Sequence, residues 1–448
     1  MRPSTPLSAA LPPLIMGTAT FNSQYNADPY ALPTTELVQR ALSRGIRAFD
    51  TSPYYGPAEE LLGRALATET VQTNFPRETY HLLTKVGRIA GSSFDYSPQW
   101  IKHSVQRSLQ RLHTNYLDVV YCHDVEFVTA AEVVTAVREL RRLRDEEGVL
   151  RYVGISGYPV DTLSDLAEMI LRETGEPLDI VMSYANFTLQ NTRLHSHALP
   201  RLIAAGVDVV PNASPLGMGL LRRDGVPIGS MGDFHPAPDA LRSAIRNASD
   251  CASRHGEKLE VVAIRFALEA WLRVGAQAGG LGAPLARAAN ADPGFFNIAE
   301  LDETLRVWHS IVDGLENWNE DDDASYFDTK LKSPALSTPS LDAPSASNIL
   351  TPQEGLITDR AWSYTRGVHI LQLAREIQDL LGPKWVDYVW DSPSPDFVNS
   401  LSEEHVATLQ RIEAEEKTGR KTYLSISDTA IREDPMLTPP SDVEKQLA

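Results

Sequence analysis

The sequence predicts an α/β protein, a (β/α)8 TIM barrel, from three observations. Short apolar runs rich in β-branched residues alternate with longer amphipathic runs as far as about residue 275. Such alternation is typical of a parallel sheet whose strands are joined by helices. An open doubly wound sheet usually has a glycine-rich fingerprint after an early strand, and this sequence has none. Seven or eight repeats without that fingerprint favour the barrel.

Seven strands of the barrel are predicted from runs with the character of buried strands. They are residues 13–17, 46–50, 81–85, 117–121, 151–156, 179–183 and 207–211. Amphipathic helical patterns lie between them at 34–45, 98–113, 130–148, 161–175 and 192–206. Glycine is frequent just after a helix because it adopts the left-handed conformation readily. Four of these helices are predicted to end at Gly45, Gly148, Gly175 and Gly206.

The eighth strand is only weakly indicated. Residues 273–297 are rich in alanine and glycine and have no obvious strand core. A helical pattern follows at 298–318 and completes a predicted barrel domain of residues 1–318.

The last third of the chain differs from the barrel in composition. Residues 319–360 are acidic and then rich in serine and proline, so they are predicted to be a disordered insertion. The insertion is interpreted either as a solvated linker or as a regulatory segment phosphorylated at its Ser-Pro and Thr-Pro positions. Residues 361–400 are predicted to form an additional C-terminal helix that docks on the barrel, and 401–448 a polar tail.

Composition excludes several classes of partner. The chain has 448 residues and a formal net charge of -18, which argues against binding nucleic acid or an anionic membrane. Its two cysteines, Cys122 and Cys251, provide neither a disulfide framework nor a zinc pattern, so no metal is predicted and a reducing, cytoplasmic location is expected. No apolar run is long enough to span a membrane. We expect a monomer or a weak homodimer that binds a small molecule.

Ionisable side chains stand at the ends of three consecutive predicted strands. Asp50 ends the second strand, and Tyr55 lies in the loop after it. Lys85 ends the third strand, and His123 follows the fourth. Each residue alone is more often a packing or rim residue than a catalyst. Because the carboxyl ends of barrel strands form one mouth, we expect the four to converge there.

These residue types suit proton transfer. A tyrosine has an ordinary pKa of about 10 and is a poor acid or base at neutral pH. A nearby ammonium favours the phenolate, and a carboxylate can hold that ammonium in place. The histidine can hydrogen-bond the same substrate oxygen. No metal is needed, but side chains supply no hydride, so a nicotinamide is implied.

Three stretches resemble the aldo-keto reductase family: "FDTSPYYG" at 49–56, "LLTKVGR" at 82–88 and "LDVVYCHDVEF" at 117–127. The resemblance covers roughly residues 14–318. It implies a catalytic tetrad in which Tyr55 donates or accepts the proton, assisted by Lys85, Asp50 and His123. Other stretches, such as "DIVMSYANFTLQN", are most similar to the sugar dehydrogenases that act on D-arabinose or L-galactose, in particular a fungal branch. That branch implies NAD-dependent oxidation of the C1 hydroxyl of an aldose to a lactone.

The same resemblance implies the cofactor site. The nicotinamide would stack over the seventh strand, where Ala213 replaces the usual aromatic residue. The implied cofactor-binding residues are Gly17, Thr18, Asp50, Ser156, Ser183, Ser214, Leu216, Gly217, Gly294 and Asn297. For Ser156 and Ser183 the alternative interpretation is a hydrogen bond to a neighbouring strand end.

NAD is predicted rather than NADP. The turn expected to hold the adenosine end, Gly294 to Thr304, contains no arginine or lysine but has Glu300 and Asp302. A 2′-phosphate needs a cationic partner, whereas acidic side chains favour a free ribose hydroxyl. NADP stays the alternative.

Two other functions stay open. The tetrad works in either direction, so an NADPH-dependent carbonyl or aldehyde reductase is one of them. The other is a catalytically weak, cofactor-sensing regulatory protein. A sugar is expected to contact the loop after the first strand and two tetrad members. These substrate residues are Phe21, Asn22, Tyr25, Tyr55 and His123.

Overall fold

The structure, a computed structural model, describes residues 3–227, 232–279, 291–292, 297–315 and 360–418. One sheet of eight parallel strands follows the order of the chain, which confirms the predicted barrel-type fold. The strands are β1 (Met16–Gly17), β2 (Ala48–Asp50), β3 (His81–Val86), β4 (Leu117–His123), β5 (Leu150–Gly157), β6 (Ile180–Tyr184), β7 (Asn212–Ala213) and β8 (Ala291–Asp292). A small antiparallel hairpin, Arg88–Ala90 with Ser93–Phe94, follows β3.

Helices follow most of the strands. They are α1 (Leu7–Ala10), α2 (Thr34–Ser43), α3 (Ala58–Leu66), α4 (Glu69–Asn74), α5 (Pro98–Arg111), α6 (Ala130–Arg142), α7 (Val160–Thr174), α8 (Leu199–Ala204), α9 (Asp239–Arg254), α10 (Leu259–Gly279), α11 (Ile298–Leu315), α12 (Arg360–Trp385) and α13 (Glu403–Thr418). Single π-helical turns, Leu143–Glu147 and Leu194–Ala198, extend α6 and precede α8. Short 3₁₀ turns lie at Pro29–Ala31, Arg77–Thr79 and Val125–Phe127. None of the helices in these ranges is long and apolar enough to cross a bilayer.

The predicted helix ends are confirmed by the backbone. The four glycines predicted to follow helices all have a positive φ, between 69° and 95°: Gly45, Gly148, Gly175 and Gly206. At the other end of α6, Thr129 and Glu132 form a capping box, which satisfies amide groups that the first turn leaves without partners.

Alternate residues of each strand face two different apolar clusters. The inner cluster lies inside the barrel and includes Ala48, Leu83, Val119 and Tyr121. The outer cluster lies between the sheet and the helices and includes Phe49, Leu82, Val120 and Cys122. Because side chains alternate along a strand, Asp50, Lys85 and His123 continue the inner-facing series.

The short helix α1 closes the amino-terminal end of the barrel. Leu7 and Leu11 belong to the inner cluster. The amide and hydroxyl of Ser8 donate to the Asp208 carboxylate at 2.8 Å each, and Tyr152 donates to the backbone of Thr5 at 2.9 Å. The barrel mouth is therefore at the carboxyl ends of the strands.

The seventh and eighth strands differ from expectation. The run 207–211 was predicted as a strand, but regular pairing occurs at Asn212–Ala213, and Val209 forms only an isolated bridge with Ile180. Pro211 explains the break because it has no N–H to donate to a ladder. The eighth strand pairs with β7 over two residues only, too short to show in an alanine-rich sequence.

The C-terminal helix α12 packs on α9 and α10. Ile370, Leu373 and Ile377 share a buried cluster with Leu241 and Ile245 of α9. The helix bends at Gly382, where φ is 66°. Of the predicted insertion 319–360, only residue 360 lies within the described residues.

Residues 386–402, here called the strap, run from α12 across the barrel mouth. The helix α13 that follows was not predicted, since the sequence suggested a polar tail from residue 401. Its His405 hydrogen-bonds Asp95 at 2.8 Å and contacts Trp100, which anchors α13 beside α5.

Candidate active site

A buried ion pair lies at the centre of the mouth. The Lys85 ammonium donates to Asp50 Oδ1 and, at 2.9 Å, to the Thr51 carbonyl, and both ionisable side chains are 1% exposed. Burial raises the pKa of Asp50, and Lys85 opposes that shift. Among the described residues, Asp50 Oδ2 has no hydrogen-bond donor. One oxygen of the buried carboxylate is therefore an acceptor without a partner in the part of the chain that the structure describes.

Tyr55 is fixed on the turn between β2 and α3. Its N–H donates to the Ser52 carbonyl at 3.1 Å, and its carbonyl accepts from Ala58 at 3.1 Å. Pro53 suits the second position of such a turn because its φ is preset. The Lys85 ammonium lies 4.7 Å from the centre of the Tyr55 ring.

His123 contacts the same tyrosine. The two rings meet edge to face, with centroids 5.7 Å apart. His123 thus joins the other three predicted catalytic residues at one mouth.

The tautomer of His123 follows from its neighbours. Ser52 Oγ accepts from the Tyr54 N–H at 3.1 Å, so its own proton can point to His123 Nδ1, 3.2 Å away. Nδ1 is then an acceptor and Nε2 carries the proton. Burial lowers the pKa of His123 to about 3, with Asp124 opposing the shift. The imidazole is therefore neutral at pH 7 and offers an Nε2–H donor.

Two charged residues at the mouth were missed by the sequence reasoning. Arg88 pairs with Asp124 and donates to the Tyr54 hydroxyl at 3.0 Å. Asp124 Oδ2 also lies 3.6 Å from His123 Nε2. Although burial acts against ionisation, the Arg88 guanidinium, which pairs with Asp124, holds the pKa of this carboxyl below its ordinary value. Arg88 lies three residues after Lys85 and Asp124 directly follows His123, and this proximity in sequence could have indicated that both lie at the mouth.

The strap contacts the loops that follow β3, β4, β5, β6 and β7. Trp390 stacks on Tyr158 with centroids 4.7 Å apart and meets the His235 ring edge-on. Ser392 donates to Glu126 at 3.0 Å. Further along, Asn399 exchanges two hydrogen bonds with the backbone of Phe94.

Several predicted cofactor residues already have partners within the protein. Gly17 pairs with Asp50 in the sheet, and the Thr18 hydroxyl donates to the Asp50 carbonyl at 3.0 Å. Ser156 and Ser183 each donate over a long 3.4 Å to a carbonyl of a neighbouring segment. Ser156 is 2% exposed and Ser183 has no exposed surface.

The loop after β7 has an unusual backbone. Ser214 and Gly217 both have φ of 57°, and the Ser214 hydroxyl accepts from the Met218 amide at 2.8 Å. Leu216 is half-buried. His235 fixes the loop by a 2.9 Å hydrogen bond to the Gly217 carbonyl.

Of the two residues predicted to bind the adenosine end, Asn297 and Gly294, the structure describes only Asn297. Asn297 Oδ1 accepts from the Glu300 amide at 3.0 Å and so caps the start of α11. Gly294 lies outside the described residues.

The predicted sugar contacts after β1 are less accessible than expected. Phe21 is fully buried in the outer cluster, so a ligand cannot contact it without rearrangement, and its position is that of a packing residue. Asn22 is 2% exposed and accepts from the Gln24 amide. Tyr25 is partly buried and packs against Phe234, with ring centroids 5.3 Å apart. Side chains do not alternate regularly in loops, so no sequence pattern indicates the direction of these three.

Comparison with known proteins shows which family the chain belongs to. Residues 13–314 match the model of the aldo/keto reductase family. The chain belongs to the aldo/keto reductase family. It is an oxidoreductase acting on CH–OH donors and uses a nicotinamide cofactor, NAD or NADP. The resemblance seen in the sequence is confirmed.

Similar members of the aldo/keto reductase family include sugar dehydrogenases. The chain is 42% identical to the D-arabinose 1-dehydrogenase of Saccharomyces cerevisiae over 269 residues, 60% of this chain and 78% of that protein. It is 35% identical to the L-galactose dehydrogenase of Arabidopsis thaliana over 234 residues, 52% of this chain and 68% of that protein.

A solved structure shows the same fold. The glycerol dehydrogenase of Gluconobacter oxydans matches with a TM-score of 0.50 and 19% identity, over 86% of this chain and 95% of that one.

Proposed function

We propose that the chain oxidises the C1 hydroxyl of an aldose of the D-arabinose or L-galactose type to a lactone, with NAD as the oxidant. The observation that carries the proposal is the buried Lys85–Asp50 pair under the Tyr55 ring, with neutral His123 beside it. The two sugar dehydrogenases named above support the choice of substrate class.

Each tetrad residue has a distinct role in this proposal. Tyr55 accepts the proton of the C1 hydroxyl as general base. The Lys85 ammonium favours negative charge on the phenol oxygen, and Asp50 holds that ammonium in place. His123 donates its Nε2–H to the C1 oxygen, which becomes the lactone carbonyl oxygen. The bound nicotinamide supplies the acceptor for the hydride that leaves C1.

The residues at the mouth fit a dinucleotide. Asp50 Oδ2 is buried and has no donor among the described residues, so it can accept from a ribose hydroxyl. Ser214 and Gly217 have left-handed conformations, but the Gly217 and Met218 amides already donate to Ser214, so the assignment of this loop to the pyrophosphate depends on the family resemblance.

Asp302 supports the preference for NAD less than the sequence suggests. Arg40 of α2 makes two hydrogen bonds to Asp302, at 2.8 and 3.1 Å, so that carboxylate is already neutralised. This arginine is distant in sequence, which is why it was not anticipated. Its engagement by Asp302 also keeps it from acting as a free partner for a 2′-phosphate.

A substrate and cofactor panel tests the proposal. Initial rates of reduced dinucleotide formation are compared for D-arabinose, L-galactose, L-fucose and D-glucose, with NAD and NADP at equal concentration. We expect the highest rate with D-arabinose or L-galactose and NAD. Faster turnover of aldehydes with NADPH would replace the proposal by a carbonyl reductase. Tight dinucleotide binding without turnover of any substrate would indicate a regulatory protein instead.

A further inference from the structure

Three side chains of the types that zinc prefers converge between α9 and α12, in the outer helical layer. Cys251 lies in the last turn of α9, and His255, four residues later, directly follows the end of that helix. Glu376 approaches them from α12, and the three ligand atoms all lie within 4.8 Å of one another. We propose that Cys251, His255 and Glu376 bind one Zn²⁺ ion, with water at the fourth position.

The spacing of the donors matches a tetrahedral site. Bond lengths of about 2.3 Å for Zn–S and about 2.0 Å for Zn–N and Zn–O give edges of about 3.5 Å for S···O and about 3.3 Å for N···O. Cys251 Sγ lies 3.3 Å from Glu376 Oε1. His255 Nε2 lies 3.4 Å from the same oxygen. Both separations from Oε1 are within about 0.2 Å of the ideal edges, and the third pair, Cys251 Sγ and His255 Nε2, lies within 4.8 Å.

Charge and access also suit a metal ion. Coordination releases the Cys251 thiol proton to solvent, and the resulting thiolate and the Glu376 carboxylate together balance the two charges of Zn²⁺. Cys251 is buried, whereas the side chains of His255 and Glu376 are 39% and 53% exposed. One side of the site is therefore open for entry of the ion and for the water ligand.

The metal would fasten the C-terminal helix to the barrel. The Glu376 side of the site belongs to α12, which joins the buried cluster on α9 and leads directly into the strap. No metal is expected from the sequence because two cysteines give no zinc pattern, and Glu376 is far along the chain from Cys251 and His255. Only the docking of α12 brings the three residues together.

Cobalt titration of the full chain tests the proposal. The chelator-treated protein is titrated with Co²⁺, which gives a thiolate-to-metal charge-transfer band when cysteine is a ligand, and Zn²⁺ is then used to displace it. We expect one Co²⁺ per chain with this band, and one tightly held Zn²⁺ by elemental analysis. Cys251→Ser should abolish the band, and His255→Ala and Glu376→Gln should each weaken binding at least tenfold.

Matched controls separate the site from nonspecific binding. Asp379→Asn removes an exposed carboxylate from the same helix, and Cys122→Ser removes the other cysteine. Both variants should keep the band and the affinity. Because His255 is partly exposed, His255→Ala should fold even if Cys251→Ser does not. Absence of the band in the wild-type chain, or a band that persists in Cys251→Ser, would overturn the proposal.

Discussion

At the residue scale, the Asp50–Lys85 ion pair of the candidate active site also affects the stability of the fold. Both side chains are almost fully buried, and the ammonium donates to the carboxylate and to one carbonyl. Removing one partner of such a pair leaves an uncompensated buried charge, which is far more costly than losing both.

A double-mutant cycle should show this coupling. We expect Asp50→Asn and Lys85→Met each to lower the free energy of unfolding, by about 3 kcal/mol. The double variant should lose clearly less than the sum of the two, because no unpaired charge is left. Urea unfolding followed by circular dichroism gives the three values, and strictly additive losses would refute the coupling.

At Gly63 the structure leaves no space for a side chain. This glycine lies in α3, where a Cβ atom would come within 1.8 Å of the Arg111 carbonyl oxygen at the end of α5. Backbone cannot yield as a flexible side chain can, so the two helices would have to separate.

Gly63→Ala should therefore destabilise the protein, by about 3 kcal/mol. Gly367→Ala is the matched control, since it is also helical and its nearest neighbour is a side-chain oxygen, Glu269 Oε1 at 3.1 Å, and not backbone. The control should change the free energy of unfolding by less than about 1 kcal/mol. If the two substitutions have equal effects in thermal unfolding, the close approach of the Arg111 carbonyl to Gly63 does not determine the loss of stability.

At the element scale, Glu126 connects the strap to the barrel loops. One carboxyl oxygen accepts from the Tyr158 amide and the Ser392 hydroxyl, both at 3.0 Å. Burial raises the pKa of Glu126 to about 8, and the charge of Asp124 adds to the shift. The folded protein therefore holds a neutral acid at this junction at pH 7.

This raised pKa makes stability depend on pH in a definite direction. Between pH 4.5 and about 8 the unfolded chain releases the Glu126 proton while the folded chain keeps it. Its contribution is thus fully present below pH 4.5 and is lost as pH rises, by about 1.4 kcal/mol per pH unit at most.

Glu126→Gln should remove the pH-dependent contribution of this carboxyl to the free energy of unfolding. The difference in unfolding free energy between variant and wild type should shift in favour of the variant from pH 5 to pH 8. Glu403→Gln, at an exposed position of α13, should show no such trend. Parallel pH curves for wild type and Glu126→Gln would contradict the assignment of a neutral carboxyl.

At the scale of the whole molecule, the barrel could be predicted because buried apolar runs alternate with amphipathic helical runs along the chain. Buried runs from β2 to β6 identified both the fold and the mouth, and alternation along the strand aims Asp50, Lys85 and His123 inward. β7 was predicted a few residues too early because Pro211 interrupts the ladder, and β8 was weakly indicated because its two paired residues lie in an alanine-rich stretch.

The rest of the site depends on contacts between distant segments. The strap reaches Glu126 from Ser392, and Arg40 of α2 meets Asp302 of α11. No local pattern encodes such pairs. Loop side chains such as Phe21 were also beyond sequence reasoning, since no periodicity fixes their direction.

The most direct test of the central claim compares Tyr55→Phe with Tyr54→Phe. Tyr54 is the neighbouring phenol, whose hydroxyl accepts from Arg88, so the pair differs mainly in which hydroxyl is removed. With NAD and the aldose that the wild type oxidises fastest, Tyr55→Phe should lower kcat by about 10² to 10⁴-fold and leave the Kd for NAD unchanged. Tyr54→Phe should stay within about tenfold of wild type, because it removes a rim hydrogen bond and not the proton acceptor. A Tyr55→Phe enzyme that turns over as fast as the wild type would contradict the account.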